Sequence, residues 1–168
     1  MNNTHKDLFE CVLDEGEEVI VTYKPVRKVI RNDFFFWFLV IPLLWPVLIF
    51  YWPIAFPIYR AWYNKRVYAC TDRRIIVRGG IVGVDYKFLD YKDIKASMVK
   101  VGIMDKISKT NTGTLEFGSV AAPLGATNAS GTRVNPFIFW HIENPHDDHK
   151  MIKKLIADAL TCTTKTAE

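Results

Sequence analysis

The sequence predicts an α+β fold: a run of antiparallel strands closed by one C-terminal helix, with a hydrophobic membrane hairpin inserted near the N-terminus. Three observations predict it. Residues 34–59, FFFWFLVIPLLWPVLIFYWPIAFPIY, form a block of 26 residues with no charge and no amide side chain. After Asn64 the chain changes to short alternating runs rich in Val, Ile and Tyr, the pattern of strands separated by turn residues. Beyond Asn144 the apolar residues recur at helical spacing.

In chain order, HKDLFECVL (residues 5–13) suits a short amphipathic helix, and EEVIVTYK (17–24) suits a strand after a turn at Glu15-Gly16. The apolar block follows. A straight helix of its length reaches roughly 39 Å, enough for one tilted passage through a hydrocarbon core of about 30 Å. Two full passages do not fit, because half the block reaches only about 18 Å. The prolines at 42, 46, 53 and 57 each remove a backbone donor and push a helix off its axis.

Flanking charge separates the arrangements. Lys24, Arg27, Lys28 and Arg31 precede the block; Arg60, Lys65, Arg66, Arg73 and Arg74 follow it. A single passage carries a lopsided count of basic residues. Here both sides are rich, which favours a hairpin that enters and leaves by one face and turns near Pro42–Pro46. A single tilted span and a buried core helix are the other arrangements the length allows. In the hairpin, Phe34, Trp37, Pro42, Trp45, Pro46, Trp52 and Tyr59 are the membrane-inserting residues, with the tryptophans and tyrosines partly as interface anchors. Strand-like sequence on both sides of the block gives a second reason: if those strands share one soluble unit, the chain returns to the side it left.

Downstream, VYACTD, RIIVRGG, IVGVDYKFLDY and DIKASMVKV read as strands, and Gly79-Gly80 between two of them is a hairpin signal. TNTGTLEFGS supplies a further strand, while residues 119–133 are small, polar and unpatterned, which marks a loop. NPFIFWHIEN reads as the last strand, with Phe137, Phe139 and His141 on one face and Ile138, Trp140 and Ile142 on the other. Asn144 is placed to cap the final helix, Pro145 suits its first position, and Asp147 and Asp148 sit in its first turn. Met151, Ile152, Leu155, Ile156, Ala159 and Leu160 make its apolar face.

Charge is distributed unevenly. Residues 1–18 carry one Lys against six acids, and residues 60–109 carry twelve Lys or Arg against five Asp. A basic excess beside an apolar block points to an anionic lipid surface as partner rather than nucleic acid. Arg60, Lys65, Arg66, Arg73 and Arg74 are the candidate lipid-facing patch, each worth roughly 1 kcal/mol near such a surface. Thr71 and Asp72 are expected to shape a turn by satisfying local backbone donors. Cys11, Cys70 and Cys162 show no pairing pattern, which fits a reducing compartment. His146, Asp147, Asp148 and His149, with His141 nearby, resemble a metal cluster but read as helix-start chemistry, so no metal and no cofactor is expected. Motifs for a nucleophile elbow, a zinc-protease helix or a phosphate loop are absent, which argues against an enzyme.

Four stretches taken together carry a resemblance: VYACTDRRIIVRGGIVG, FLDYKDIKASMVKVGIMDKI, GTLEFGS and FWHIENPHDDHKMIKKLI. They resemble the bacterial pleckstrin-homology-like (PH-like) domains of membrane proteins, in which a Tyr-x-x-Thr-Asp-x-Arg strand turns into a second strand, matched by Tyr68, Thr71, Asp72 and Arg74. Gly16-Glu17 matches a strand start ahead of the hydrophobic hairpin, and Ile142, Asn144 and Pro145 match the start of the helix. The resemblance covers residues 14 to about 160 and departs from the pattern in an apolar block shorter than two full spans. It implies a strongly bent antiparallel sheet capped by one C-terminal helix on the cytoplasmic side of a membrane, and a family that is not a set of enzymes. The expected organisation is residues 1–33 joining the soluble unit, 34–63 in the membrane, 64–161 as the PH-like domain and 162–168 as a tail. The expected function is a membrane-anchored binding or scaffold domain at the cytoplasmic (inner) membrane, with lipid, a membrane-protein partner or further copies of itself as partners. An assembly subunit without lipid recognition and a soluble ligand-binding domain are the alternatives.

Overall fold

In the computed structural model the described residues are 5–29, 31, 53, 57–80, 83–107, 109–127, 135 and 137–165. Phe34, Trp37, Pro42, Trp45, Pro46 and Trp52, assigned above to membrane insertion, lie outside them, as does the turn of the expected hairpin. Among the described residues no helix is long and apolar enough to cross a membrane.

The described residues form seven strands in two antiparallel sheets. The first sheet has the order β1 (Val19–Tyr23), β2 (Val67–Thr71), β3 (Arg74–Gly79) and β4 (Asp85–Asp90); the second has β5 (Ala96–Lys100), β6 (Thr112–Gly118) and β7 (Ile138–Glu143). The C-terminal helix, Pro145–Lys165, packs on β5, β6 and the 3-10 turn Tyr91–Asp93. This is the α+β arrangement the alternation and the terminal periodicity predict. Ile152 is fully buried, and Met151, Leu155, Ile156 and Ala159 pack on the core; burying one such side chain contributes about 1.5–3 kcal/mol.

The main core lies between the sheets and the helix. Tyr68 stacks on Phe139 with ring centroids 4.5 Å apart, and Phe117 meets Phe139 edge-on at 5.3 Å. Every residue of β2 is buried, although alternation would leave half of them exposed. The reason is a second cluster on the outer face of the first sheet. There Phe9 packs against Val19, Val67, Ala69 and Ile76. Residues 5–13 therefore do not form the expected amphipathic helix. They make two 3-10 turns, Lys6–Leu8 and Glu10–Val12, held by side chains: Tyr86 donates its hydroxyl to Leu8 O at 3.0 Å. So short a segment cannot meet the cost of helix nucleation, and burying Phe9 decides its shape.

Two further details differ from simple alternation. Phe139 pairs with Leu115 and Ile142 with Gly113, so Trp140 and His141 together oppose Thr114 alone. This bulge, with His141 at φ 47°, turns Ile142 onto the same core face as Phe139 rather than the opposite one. Asn144, at φ 47°, caps the helix with its backbone: its carbonyl accepts from the Asp147 and Asp148 amides, while its side chain accepts from Asn111 Nδ2 at 2.6 Å. The Gly79-Gly80 hairpin forms as expected. Gly80 has φ 111°, and an added Cβ would lie 2.6 Å from the Gly83 carbonyl oxygen, so glycine is required there.

Candidate functional site

The decisive geometry is the pairing of β1 with β2, in which Tyr23 opposes Tyr68 and Val19 opposes Thr71. These strands lie on either side of the apolar block in sequence, yet they are neighbours in one sheet. Residues 24–66 therefore leave and rejoin the fold at the same end, which we call the stem end. Val67 opposite Arg78 and Gly79 opposite Asp85 place the β3–β4 turn there. Val26 N donates to His141 O at 2.8 Å, which joins the stem to β7 of the second sheet, and His141 Nδ1 lies 2.9 Å from Asp105 of the β5–β6 loop.

The described parts of the stem, 24–29, 31, 53 and 57–66, carry Lys24, Arg27, Lys28, Arg31, Arg60, Lys65 and Arg66 and no acid. Residues 57–65 are helical, with Arg60 exposed and Tyr59 partly buried. The Arg66 guanidinium lies 4.0 Å from the centroid of the Trp62 ring, and Lys24 Nζ lies 5.4 Å from that of Tyr63. Cation–π contacts of this kind are worth about 0.5–1 kcal/mol at exposed sites. The Lys24–Tyr63 contact joins the two chains of the stem, while the Arg66–Trp62 contact lies within the returning one. Lys65 Nζ donates to Gly83 O at 3.1 Å, and Arg78 Nη1 donates to Lys65 O at 3.3 Å, which ties the stem to the β3–β4 turn.

Arg73 and Arg74 are elsewhere. They follow β2, whose five residues extend roughly 16 Å at about 3.3 Å each. The five basic residues expected to form one patch are thus divided between opposite ends. Arg74 does not face outward: it donates from Nε to Glu17 Oε1 at 2.9 Å and from Nη2 to Glu17 Oε2 at 2.6 Å, and it meets Asp14 at 3.0 Å. Glu17 has a fully buried side chain. Burial pushes the Glu17 carboxyl up, but Arg74, the Asp14 amide and the Thr71 hydroxyl outweigh it and hold the group below its ordinary range. The Glu17 hydrogen bonds in turn raise Arg74. Thr71 and Asp72 shape the turn as expected: Thr71 Oγ1 accepts from the Arg73 and Arg74 amides, and Asp72 Oδ1 accepts from Glu18 N.

This distal end holds an open groove of about 860 Å³ between the β2–β3 turn and the C-terminal helix. Ile20, Tyr91, Leu155, Ala159 and Leu160 give it an apolar lining, and Asp72, Arg73, Asp90, Lys92 and Asp158 give it a charged rim. Arg73 meets Asp72 at 3.5 Å and Lys92 meets Asp90 at 3.3 Å, so neighbours largely neutralise the rim.

The histidines and acids at the helix start are dispersed. His149 Nε2 lies 2.8 Å from Ser97 Oγ, with its pKa lowered first by burial and then by Lys153 and His146. His141 Nδ1 lies 2.9 Å from Asp105 Oδ1, while Asp147 pairs with Lys150. Asp148 is pushed up to about 6 by burial. Among the described residues no three His, Cys, Asp or Glu side chains gather in metal-binding geometry. Sequence reasoning missed the Glu17–Arg74 pair and the Phe9 cluster. Gly16-Glu17 and Arg74 were each available as matched motif positions, with nothing to pair them.

The fold is thus a PH-like arrangement of two antiparallel sheets and a closing helix. Residues 21–137 match the sequence model of the bacterial PH domain family, and the chain belongs to that family. It is also similar to the crystal structure of a DUF1696 family protein with a pleckstrin-homology domain from Shewanella loihica PV-4, at 14% identity and TM-score 0.40, covering 90% of this chain and 89% of that one. No curated protein matches the chain.

Proposed function

We propose that this bacterial PH domain is a membrane-anchored, non-enzymatic binding or scaffold module at the cytoplasmic face of the inner membrane. The stem end meets the bilayer and the distal end is presented to partners. One observation carries the reading: β1 and β2 pair directly, so the apolar block is an excursion that starts and finishes at one end of the fold. A net passage to the far side of a bilayer is incompatible with that pairing; a loop dipping in and returning is compatible.

Composition supports the rest. An uncharged block of 26 residues in aqueous surroundings would expose a large apolar surface, and acyl chains are the surroundings that match it. Seven basic residues without an acid on the described stem suit an anionic headgroup layer. Trp62 and Tyr63 on the stem support the same reading, because amphipathic rings are enriched at the boundary between acyl chains and water. The groove at the opposite end, apolar within and largely charge-paired at its rim, supports the scaffold half of the reading.

The test is extraction of the full chain from native membranes. Retention in the pellet after high salt and alkaline carbonate is the expected result. Release by carbonate would remove membrane insertion, and release by salt alone would reduce the contact to surface charge.

A further inference from the structure

The stem is not the only apolar feature at its end. Among the described residues the exposed large hydrophobics include Ile58 at 46%, Val84 at 42%, Val101 at 42% and Ile103 at 74%, and all four lie at the stem end. Ile58 belongs to the stem and Val84 to the β3–β4 turn. Val101 and Ile103 belong to the β5–β6 loop, where Lys106 and Lys109 are also exposed. Ile103 begins the short helical turn Ile103–Ile107 and leaves most of its side chain exposed.

Hydrogen bonds anchor the base of the loop. Asp105 is 1% exposed and accepts from three directions: Gly102 N at 2.9 Å and Thr112 Oγ1 at 2.7 Å, with His141 Nδ1 at 2.9 Å. The same His141 accepts the Val26 amide of the stem through its backbone carbonyl. One buried carboxylate therefore ties the base of the loop, through His141, to the stem at Val26.

We infer that the β5–β6 loop is a second membrane contact, a short wedge that sets Val101 and Ile103 among the upper acyl chains while Lys106 and Lys109 meet anionic headgroups. This rests on the stem-end reading given above and adds a contact that the apolar block does not supply. A tether alone lets the domain swivel; two insertions separated across the end of the fold set its tilt. The chemistry fits a bilayer surface in particular, because aliphatic tips flanked by lysines match acyl chains lying beneath phosphates.

The test uses the full chain carrying Cys11→Ser, Cys162→Ser and Ile103→Cys, labelled with an environment-sensitive fluorophore and reconstituted into vesicles of phosphatidylcholine and phosphatidylglycerol. Cys70 is fully buried, and burial raises its thiol pKa, so it stays unlabelled. A matched chain carries Val120→Cys, at a position 82% exposed at the distal end. The expected result is a blue shift at position 103 and loss of most of its emission when the lipids bear a nitroxide on the upper acyl chain, with neither change at 120. Vesicle-bound protein whose label at 103 stays unquenched would overturn the wedge and leave the stem reading intact. A shift at 103 without lipid quenching would mean that protein covers the loop, which also overturns it. Chain that fails to float with the vesicles would overturn both readings together.

Discussion

The two ends of this domain hold arginines for opposite purposes. At the distal end Arg74 is folded inward, only 15% exposed, and both oxygens of the buried Glu17 carboxylate are its partners. At the stem end Arg60 is exposed, and Arg66 rests on the Trp62 ring instead of on an acid. The residues are of one type and lie within fifteen positions of each other, yet Arg74 is structural and Arg60 is available to a surface. The difference teaches that basic residues near an apolar block do not form a lipid patch by proximity in sequence. The strand between them decides which end each one reaches.

The largest expected effect comes from breaking the distal pair. Arg74→Met leaves Glu17 buried without its cation, and removing one partner of a buried pair costs about 3–5 kcal/mol. Urea unfolding should show that loss, whereas Arg60→Ala should change stability by less than about 0.5 kcal/mol, as for ordinary surface positions. Similar losses at both would erase the contrast between the ends.

Phe9→Ala tests whether the N-terminal segment belongs to the same cooperative unit. Removing a fully buried phenylalanine from the outer-face cluster should cost about 3 kcal/mol in the same assay. Faster proteolysis ahead of Val19 without any global loss would show instead that the segment unfolds separately.

Asp148 gives a smaller, pH-dependent effect near the stem end. Burial raises its pKa from 3.8 to about 6, so the folded state binds this proton more tightly than the unfolded chain. The charged carboxyl is therefore a cost that is fully present above about pH 6 and is relieved as pH falls from there towards 4. Asp148→Asn should stabilise the domain by about 1 kcal/mol at mildly alkaline pH, a figure reduced from the full linkage value because the carboxyl is partly solvated. The gain should vanish near pH 4, below which both states are protonated. Thermal melts across that range check the sign.

The gentlest test separates the ends by lipid affinity alone. Arg60→Ala should weaken flotation of the full chain with anionic vesicles by about 1 kcal/mol and lose its effect at high salt, while Arg73→Ala should leave flotation unchanged. An equal loss from both substitutions would restore a single patch.

Much of the fold was legible because its elements follow simple periods. Gly79-Gly80 announced the hairpin, and the spacing of Met151, Ile152, Leu155, Ile156 and Ala159 announced the closing helix. Leu160 is the exception: it extends the apolar stripe but is 43% exposed, at the rim of the groove. Other features were illegible for physical reasons. A bulge such as that at Trp140-His141 is set by tertiary contacts to Val26, Tyr68 and Asp105, and adds one residue to a pattern whose period cannot reveal it. Glu17 and Arg74 lie 57 positions apart, and the sequence gives no measure of which acid a given arginine will meet. The division of the basic residues was illegible for a related reason, because it depends on the direction of β2 relative to the stem.

The most direct test of the central claim is the sidedness of the two stem chains. Lys28→Cys and Asn64→Cys, placed singly in full chains lacking Cys11 and Cys162 and incorporated into sealed vesicles, are exposed to a thiol reagent that does not cross lipid. Both should label to the same extent, from the same side, in protein that remains bound to the vesicles. Labelling of the two from opposite sides would contradict an excursion that returns to its starting face.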